Sequence, residues 1–278
     1  YTHVMDIAIV GLPRSGKTTI FNAITGGVAG PAAYGGPHGK PNLGVVKVPD
    51  PRLEVLNGIY NPARTVPAEI TFVDIPAPPE SFGKTRGISG EFLNYLQRAD
   101  ALLMVARSFE DPSVAHVHDR IDALGDVDTL LYELAFADLG ILERRSARLE
   151  EGFKGAKAEQ RQILMKEQAL LIRIKAGLES GVGIGGQSLT KDESRALEGF
   201  QFLTAKPLVI VANVGETQLS DTSSLEDGLS ALSTGSKSLT AVLCAELEME
   251  LARMEPADER EFRASLELGQ PGPARVIN

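Results

Sequence analysis

The chain has 278 residues, 43% of them hydrophobic and 23% charged, with no tryptophan and one cysteine. The lone Cys244 excludes an internal disulfide and a cysteine-rich metal site. Twenty-eight Lys+Arg against 37 Asp+Glu give a net charge of −9, which excludes a whole-surface nucleic-acid binder and leaves no expectation of a DNA partner. The longest clean apolar runs, 101–106 and 208–212, fall far short of the ~18–20 residues a spanning helix needs. No basic-then-apolar leader opens the chain, so the expectation is a cytoplasmic protein with no membrane partner.

Residues 4–10 are a β-branched run that predicts a first strand. Gly11-Leu12-Pro13-Arg14-Ser15-Gly16-Lys17-Thr18 follows it and fits G-x-x-x-x-G-K-[ST] in full, and residues 19–24 continue as a helix. Strand, loop and helix in that order let backbone N–H groups wrap a polyphosphate at a helix N-terminus. Pro13, Arg14, Ser15, Gly16, Lys17, Thr18 and Thr19 are therefore the expected phosphate contacts. Lys17 is the catalytic cation bridging the β- and γ-phosphates, and Thr18 offers its hydroxyl to Mg²⁺. Residues 26–44 carry seven glycines and three prolines, a composition that reads as a loop. Further strands are expected at 44–48, 69–74 and 101–106. The 69–74 strand ends in Asp74, a carboxylate placed to hold Mg²⁺ through water.

About a hundred residues then separate the fourth and fifth strands, where a crossover needs only a dozen or so. Leu130, Leu134, Ala137 and Ile141, widened by Leu131 and Leu142, recur at helical spacing. A second stripe follows in Ile163, Leu164, Leu170, Leu171, Ile174 and Leu178. With Gly152 and Gly155 at the bend, the pattern reads as an antiparallel coiled-coil hairpin inserted into the sheet domain. Residues 126–203 are assigned to it, and residues 1–125 and 204–278 to the sheet domain. Arg144, Arg145, Arg148, Lys154, Lys157 and Arg161 concentrate positive charge on the hairpin, as a solvated helix face or as a contact for RNA or the ribosome. Residues 181–186 hold four glycines in six positions and read as a hinge loop.

Strands five and six are expected at 208–213 and 238–244. Guanine-specific relatives of this loop class end the fifth strand in Asn-Lys-x-Asp, whose Asp accepts both N–H donors of the guanine edge. Here the segment is Asn213-Val214-Gly215-Glu216: the Lys is absent and the carboxylate is one methylene longer. Asn213 can either read adenine's donor–acceptor edge or brace the loop. Cys244, Ala245 and Glu246 close the sixth strand where a base-flanking loop belongs. The Cys244 thiol reads either as a redox group near the nucleotide or as a small apolar strand end.

These residues resemble the YchF or Obg-like ATPase family, a branch of the translation-factor P-loop GTPases. The resemblance runs from Met5 to Val276. It is carried by Ile9-Val10-Gly11-Leu12-Pro13, Pro41-Asn42, Pro49-Asp50-Pro51-Arg52-Leu53, Phe72-Val73-Asp74-Ile75 and Arg107-Ser108-Phe109-Glu110. Further carriers are Glu133-Leu134-Ala135-Phe136-Ala137-Asp138-Leu139, Phe202-Leu203-Thr204-Ala205-Lys206-Pro207, Ala212-Asn213-Val214 and Arg275-Val276-Ile277. It implies a doubly wound, mainly parallel six-stranded P-loop G domain with an inserted helical hairpin, Mg-ATP hydrolysis and ribosome association. It also places His116 as the histidine proposed to orient the attacking water. Family members continue after Arg-Val-Ile into a small β-rich TGS domain, and this sequence stops at Asn278.

The sequence also departs from the family. Arg14 replaces a loop asparagine tied to potassium activation in related enzymes, and a guanidinium there could supply the same positive charge in cis. His38 stands where the first switch presents a threonine. The second switch reads Asp74-Ile75-Pro76-Ala77-Pro78-Pro79 in place of Asp-x-x-Gly. The reading is an Mg²⁺-dependent hydrolase preferring ATP over GTP. Its alternatives are a binding-only nucleotide switch or scaffold, and a GTPase.

Overall fold

The computed structural model describes residues 5–26, 41–75, 88, 90–113, 120–232, 237–266 and 268–277. His38, His116 and the Pro76–Pro79 stretch lie outside the described residues. Six strands form one sheet: β1 (Met5–Val10), β2 (Asn42–Lys47), β3 (Glu69–Asp74), β4 (Ala101–Arg107), β5 (Leu208–Asn213) and β6 (Ser238–Leu243), in the order β2-β3-β1-β4-β5-β6. All neighbours pair parallel except β2 with β3.

The two-residue period of a strand sorts the core into two layers. Ala8 and Val10 of β1, with Leu102, Met104 and Ala106 of β4, face one layer; Ile7, Ile9, Ala101, Leu103 and Val105 face the other. Helix α1 (Lys17–Ile24) covers the second layer, and Ile20, Phe21 and Ile24 are buried there. Helices α2 (Pro51–Tyr60) and α3 (Gly90–Arg98) follow β2 and β3. The chain leaves β1 toward β2 and β3, then crosses back to β4, so the carboxyl ends of β1, β3 and β4 open on one crevice.

Several sequence expectations are corrected at their edges. The second strand begins at Asn42, not 44, because Asn42 and Leu43 pair with Asp74 and Val73 in the antiparallel register. The 181–186 segment is not wholly loop, since Ile184–Gly186 forms a 3-10 turn with Ile184 buried. The Pro-Asp-Pro-Arg segment is a helix start. Asp50 caps α2 by accepting from Arg52 N at 2.9 Å, Pro51 occupies the first turn, and the Arg52 guanidinium returns to the same carboxylate.

The insertion is two long helices, α4 (Ala123–Phe153) and α5 (Ala158–Glu179), joined by residues 154–157. Asp122 caps α4 through Gly125 N at 2.9 Å. One end of α4 packs on the sheet through Val127, Leu130 and Leu134. The other end joins α5 in a separate core of Leu142, Leu149, Leu171, Ile174 and Leu178. A single helix therefore belongs to both cores. Ile163 is 63% exposed, outside the apolar seam where its stripe placed it, because Leu164 and Leu171 are the α5 positions that turn toward α4. Arg145 binds Glu167 across the seam with two hydrogen bonds of 2.6 and 2.9 Å, which takes it out of the free basic cluster.

The chain returns through α6 (Lys191–Leu197) and a 3-10 turn, Leu203–Ala205, to β5. Asp138 of α4 clasps that turn: its carboxylate accepts from Leu203 N at 2.8 Å, Thr204 N at 2.8 Å and Thr204 Oγ1 at 2.7 Å. Two residues later, Lys206 Nζ donates to the Gln97 and Ala99 carbonyls and so caps the end of α3. Helices α7 (Ser223–Leu232), α8 (Ala245–Leu251), α9 (Pro256–Ser265) and α10 (Gly272–Ile277) complete the fold. Arg263 of α9 is held by buried Glu248 of α8. Among the described residues no helix is long and apolar enough to cross a membrane.

Burial pushes the Asp138 carboxyl up to about 6 against the pull of its three donors. A carboxyl raised in the folded state stabilises the fold at low pH and loses that contribution as pH rises through about 6. Asp138→Ala leaves the buried Leu203 N–H and the half-buried Thr204 N–H without partners and should cost about 2–4 kcal/mol in urea denaturation at pH 7. The gap to the unsubstituted protein should widen as pH falls below about 6.

Candidate active site

The loop between β1 and α1 has its shape fixed by two glycines. A side chain on Gly11 would collide with the Val105 carbonyl of β4. One on Gly16 would collide with the Asn213 amide, and Gly16 also has φ +88°. Arg14, exposed, has φ +65°. That backbone suits glycine or asparagine better than arginine, so Arg14 sits in the turn under strain.

The side chains of the loop are poised around a space for anions. Lys17 Nζ donates to Gly11 O at 3.1 Å and Leu12 O at 2.9 Å, curling its ammonium over the loop. Burial pulls its pKa down to about 8, partly offset by the charge of Asp74. Thr18 Oγ1 donates to Asp74 Oδ2 at 2.9 Å, so the two residues expected at Mg²⁺ meet at the carboxyl end of β3. Asn42 Nδ2 also donates to Asp74 Oδ2, at 3.2 Å. Asn42 pairs with Asp74 in the antiparallel register; Pro41-Asn42 carries part of the resemblance, but a reading along one chain gives Asn42 no role. Ser15 is buried and, among the described residues, its hydroxyl has no partner. One hydroxyl and one carboxylate, both hard oxygen donors, fit a magnesium ion that keeps its waters and shares phosphate oxygens.

Asn213 braces the loop in this structure. Its side chain is 4% exposed, its Oδ1 accepts from Ala245 N at 3.0 Å, and its Nδ2 donates to Ser15 O at 3.3 Å. Each bond uses one of the two N–H donors or one of the two lone pairs, so the brace and a contact to a base are compatible at this amide. Val214 and Ala245 are buried with their side chains in the core, while Glu216 and Glu246 are exposed on either side of the crevice. Cys244 is buried and burial pushes its thiol up, which suits the apolar strand end and not a redox thiol.

Sequence reasoning gave Arg107 and Phe109 no role. Arg107 stands opposite Asn213 in the β4–β5 register and is 2% exposed. Its Nε donates to Phe109 O at 3.2 Å, its guanidinium lies 4.5 Å from the Phe109 ring centre, and its Nη1 has no partner. Phe109 in turn flanks Gly16 and Gly215. The Arg-Ser-Phe-Glu motif thus walls the crevice between the phosphate loop and β5.

Fold and site together define a P-loop G domain carrying a helical arm. A family model described as 50S ribosome-binding GTPase matches residues 6–135. The ribosome-binding ATPase YchF of Haemophilus influenzae is 36% identical over 270 residues, covering 97% of this chain and 73% of that protein. The protein of the same name in Bacillus subtilis is 33% identical over 275 residues, covering 98% and 74%. The solved structure of the Schizosaccharomyces pombe YchF GTPase aligns with a TM-score of 0.80 at 25% identity, over 98% of this chain and 74% of that one. The chain belongs to the YchF family.

An anion that takes Lys17 Nζ from its two carbonyls restores the lysine's ordinary pKa, so anion binding above pH 8 takes up a proton. Calorimetry of nucleoside triphosphate binding at pH 8.5, in two buffers of different ionisation enthalpy, should show uptake of a sizeable fraction of a proton. Lys17→Met should abolish it.

Proposed function

We propose that the protein hydrolyses a nucleoside triphosphate to the diphosphate and phosphate, prefers ATP to GTP, and works in association with the ribosome. The observation that carries the reading is the phosphate loop already closed around Lys17, in a family whose relatives are named ribosome-binding ATPases. In this reading Lys17 exchanges the Gly11 and Leu12 carbonyls for β- and γ-phosphate oxygens, and the backbone N–H groups of residues 14–18 at the start of α1 donate to the same oxygens. Ser15 Oγ, buried and unpartnered, adds a donor inside the loop. Thr18 and Asp74 hold Mg²⁺, which when bound neutralises charge on the phosphate oxygens. His116 is the side chain assigned to orient the attacking water. Lys17 and the loop N–H groups stabilise the charge that builds as the γ-phosphoryl group transfers.

The base preference rests on the 213–216 segment. No aspartate stands where guanine's two donors would be read, and Glu216 begins an exposed 3-10 turn, Glu216–Gln218. The arm supplies the candidate ribosome contact: Arg144, Arg148, Lys154, Lys157 and Arg161 are all exposed toward its free end. Sheet and arm are proposed as the two domains, with the 126–203 boundary crossing a helix that both share.

Single-turnover hydrolysis of ATP with purified protein and Mg²⁺ should yield product well above the buffer rate, and calorimetry should find ATP bound more tightly than GTP. Product at the buffer rate would leave a binding-only switch, and GTP bound tenfold tighter would overturn the base preference. Arg14→Asn relaxes the loop and removes the guanidinium. It should lower turnover in sodium buffer and restore a response to potassium; equal rates in both salts for both proteins would rule out a catalytic role for Arg14.

A further inference from the structure

One edge of the sheet and the helix that follows it are apolar and uncovered. Strand β2 ends the strand order, and among the described residues it pairs with β3 alone, so the N–H and C=O groups of its outer side have no strand to meet. Val46 packs on the core, while Leu43 and Val45 on the opposite face are exposed. Three residues later begins α2, a ten-residue helix with no buried residue. Val55, Leu56, Ile59 and Tyr60 share one side of it, and Glu54, Asn57 and Gly58 the other. All four apolar residues are exposed, so that side faces outward. A helix shorter than about 12–15 residues is marginal alone in water, and α2 gains no support from packing on its own core. Its cover has to come from another surface.

Leu43, Val45, Val55, Leu56, Ile59 and Tyr60 are between 48% and 74% exposed. Together they present roughly 700 Å², beyond the about 300–600 Å² of the largest patch on a typical monomer and near the about 800 Å² each partner gives to a standard interface. Charge narrows the choice of partner. Residues 42–69 hold Lys47, Arg52 and Arg64 against Asp50, Glu54 and Glu69, three of each sign and so no net charge, in a chain of −9. Such a surface attracts neither a polyanion nor a polycation, and two copies of it meet without repulsion. We infer that this face joins two copies of the chain in a two-fold dimer, with their β2 strands side by side and antiparallel.

The strand is self-complementary in that arrangement. A two-fold axis through Gly44 sets Leu43 of each copy beside the partner's Val45, which gives two apolar cross-strand pairs. Pro41 and Pro49 flank the strand and lack an N–H, so they bound the pairing at both ends. The axis uses each β2 edge once, and the assembly closes at two copies. None of the six apolar side chains is assigned to the nucleotide site, so the inference stands or falls apart from hydrolysis.

Sedimentation equilibrium of the 278-residue chain, from about 1 to about 100 μM, tests the assignment. We expect a monomer–dimer equilibrium with a micromolar or tighter dissociation constant. Val45→Lys sets an ammonium against the partner's Leu43, and Ile59→Glu puts a carboxylate on the apolar side of α2. Each should weaken the dimer at least about tenfold. Both positions are exposed in the single chain, so thermal unfolding and nucleotide affinity should stay unchanged. Ile172→Glu serves as the control: Ile172, on α5, is 62% exposed, and its substitution should leave the dimer intact. A monomer at every concentration, a dimer indifferent to both substitutions, or one that Ile172→Glu weakens equally would each overturn the inference.

Discussion

The Asn213 amide is the contact on which the site depends. It stands at the carboxyl end of β5, accepts from Ala245 N and donates to Ser15 O, and so ties the β6 loop and the phosphate loop to one strand. The same amide occupies the space a side chain on Gly16 would need, so loop and brace specify each other. Neither of these bonds uses a donor that a triphosphate would take, so binding leaves the brace in place. Preorganisation of this kind leaves more of the interaction energy for affinity and for the transition state.

Much of this was legible along the chain, because the period of two in strands and of 3.6 in helices is set by burial, and burial is written in the residue types. The Glu69–Asp74 and Leu208–Asn213 strands stand where their β-branched runs put them, and the arm's bend falls between Gly152 and Ala158. What escaped was set by pairing across the chain. Asn42 and Leu43 looked like loop because what makes them strand is their pairing with Asp74 and Val73. Asn42 reaches Asp74 only through antiparallel register, and Asn213's bracing role depended on where Ser15 and Ala245 come to lie. Ile163 fits a helical stripe by spacing alone, yet the facing helix covers Leu164 instead.

The family motifs with no obvious chemistry turn out to be joints. Asp50 and Pro51 begin a helix, and Arg107 and Phe109 wall the crevice. The Asp138 and Thr204 motifs meet each other across 66 residues. A buried carboxylate with three donors is hard to replace piecemeal, since any smaller or neutral side chain strands at least one N–H. That constraint explains why two distant segments, one on α4 and one before β5, both look distinctive in the sequence.

Strand β5 connects these two arrangements. Its entry follows the Asp138 clasp at the root of the arm, and its exit carries the amide that braces the phosphate loop. Val211 and Ala212 between them are completely buried, with β4 and β6 hydrogen-bonded on either side, so the strand has no room to bend or slip by a fraction of its register. A load on the arm therefore reaches the sheet as a rigid displacement or not at all. Any communication between the arm and the nucleotide site has to act through the packing at the two ends of the strand, the Asp138 clasp and the Asn213 brace.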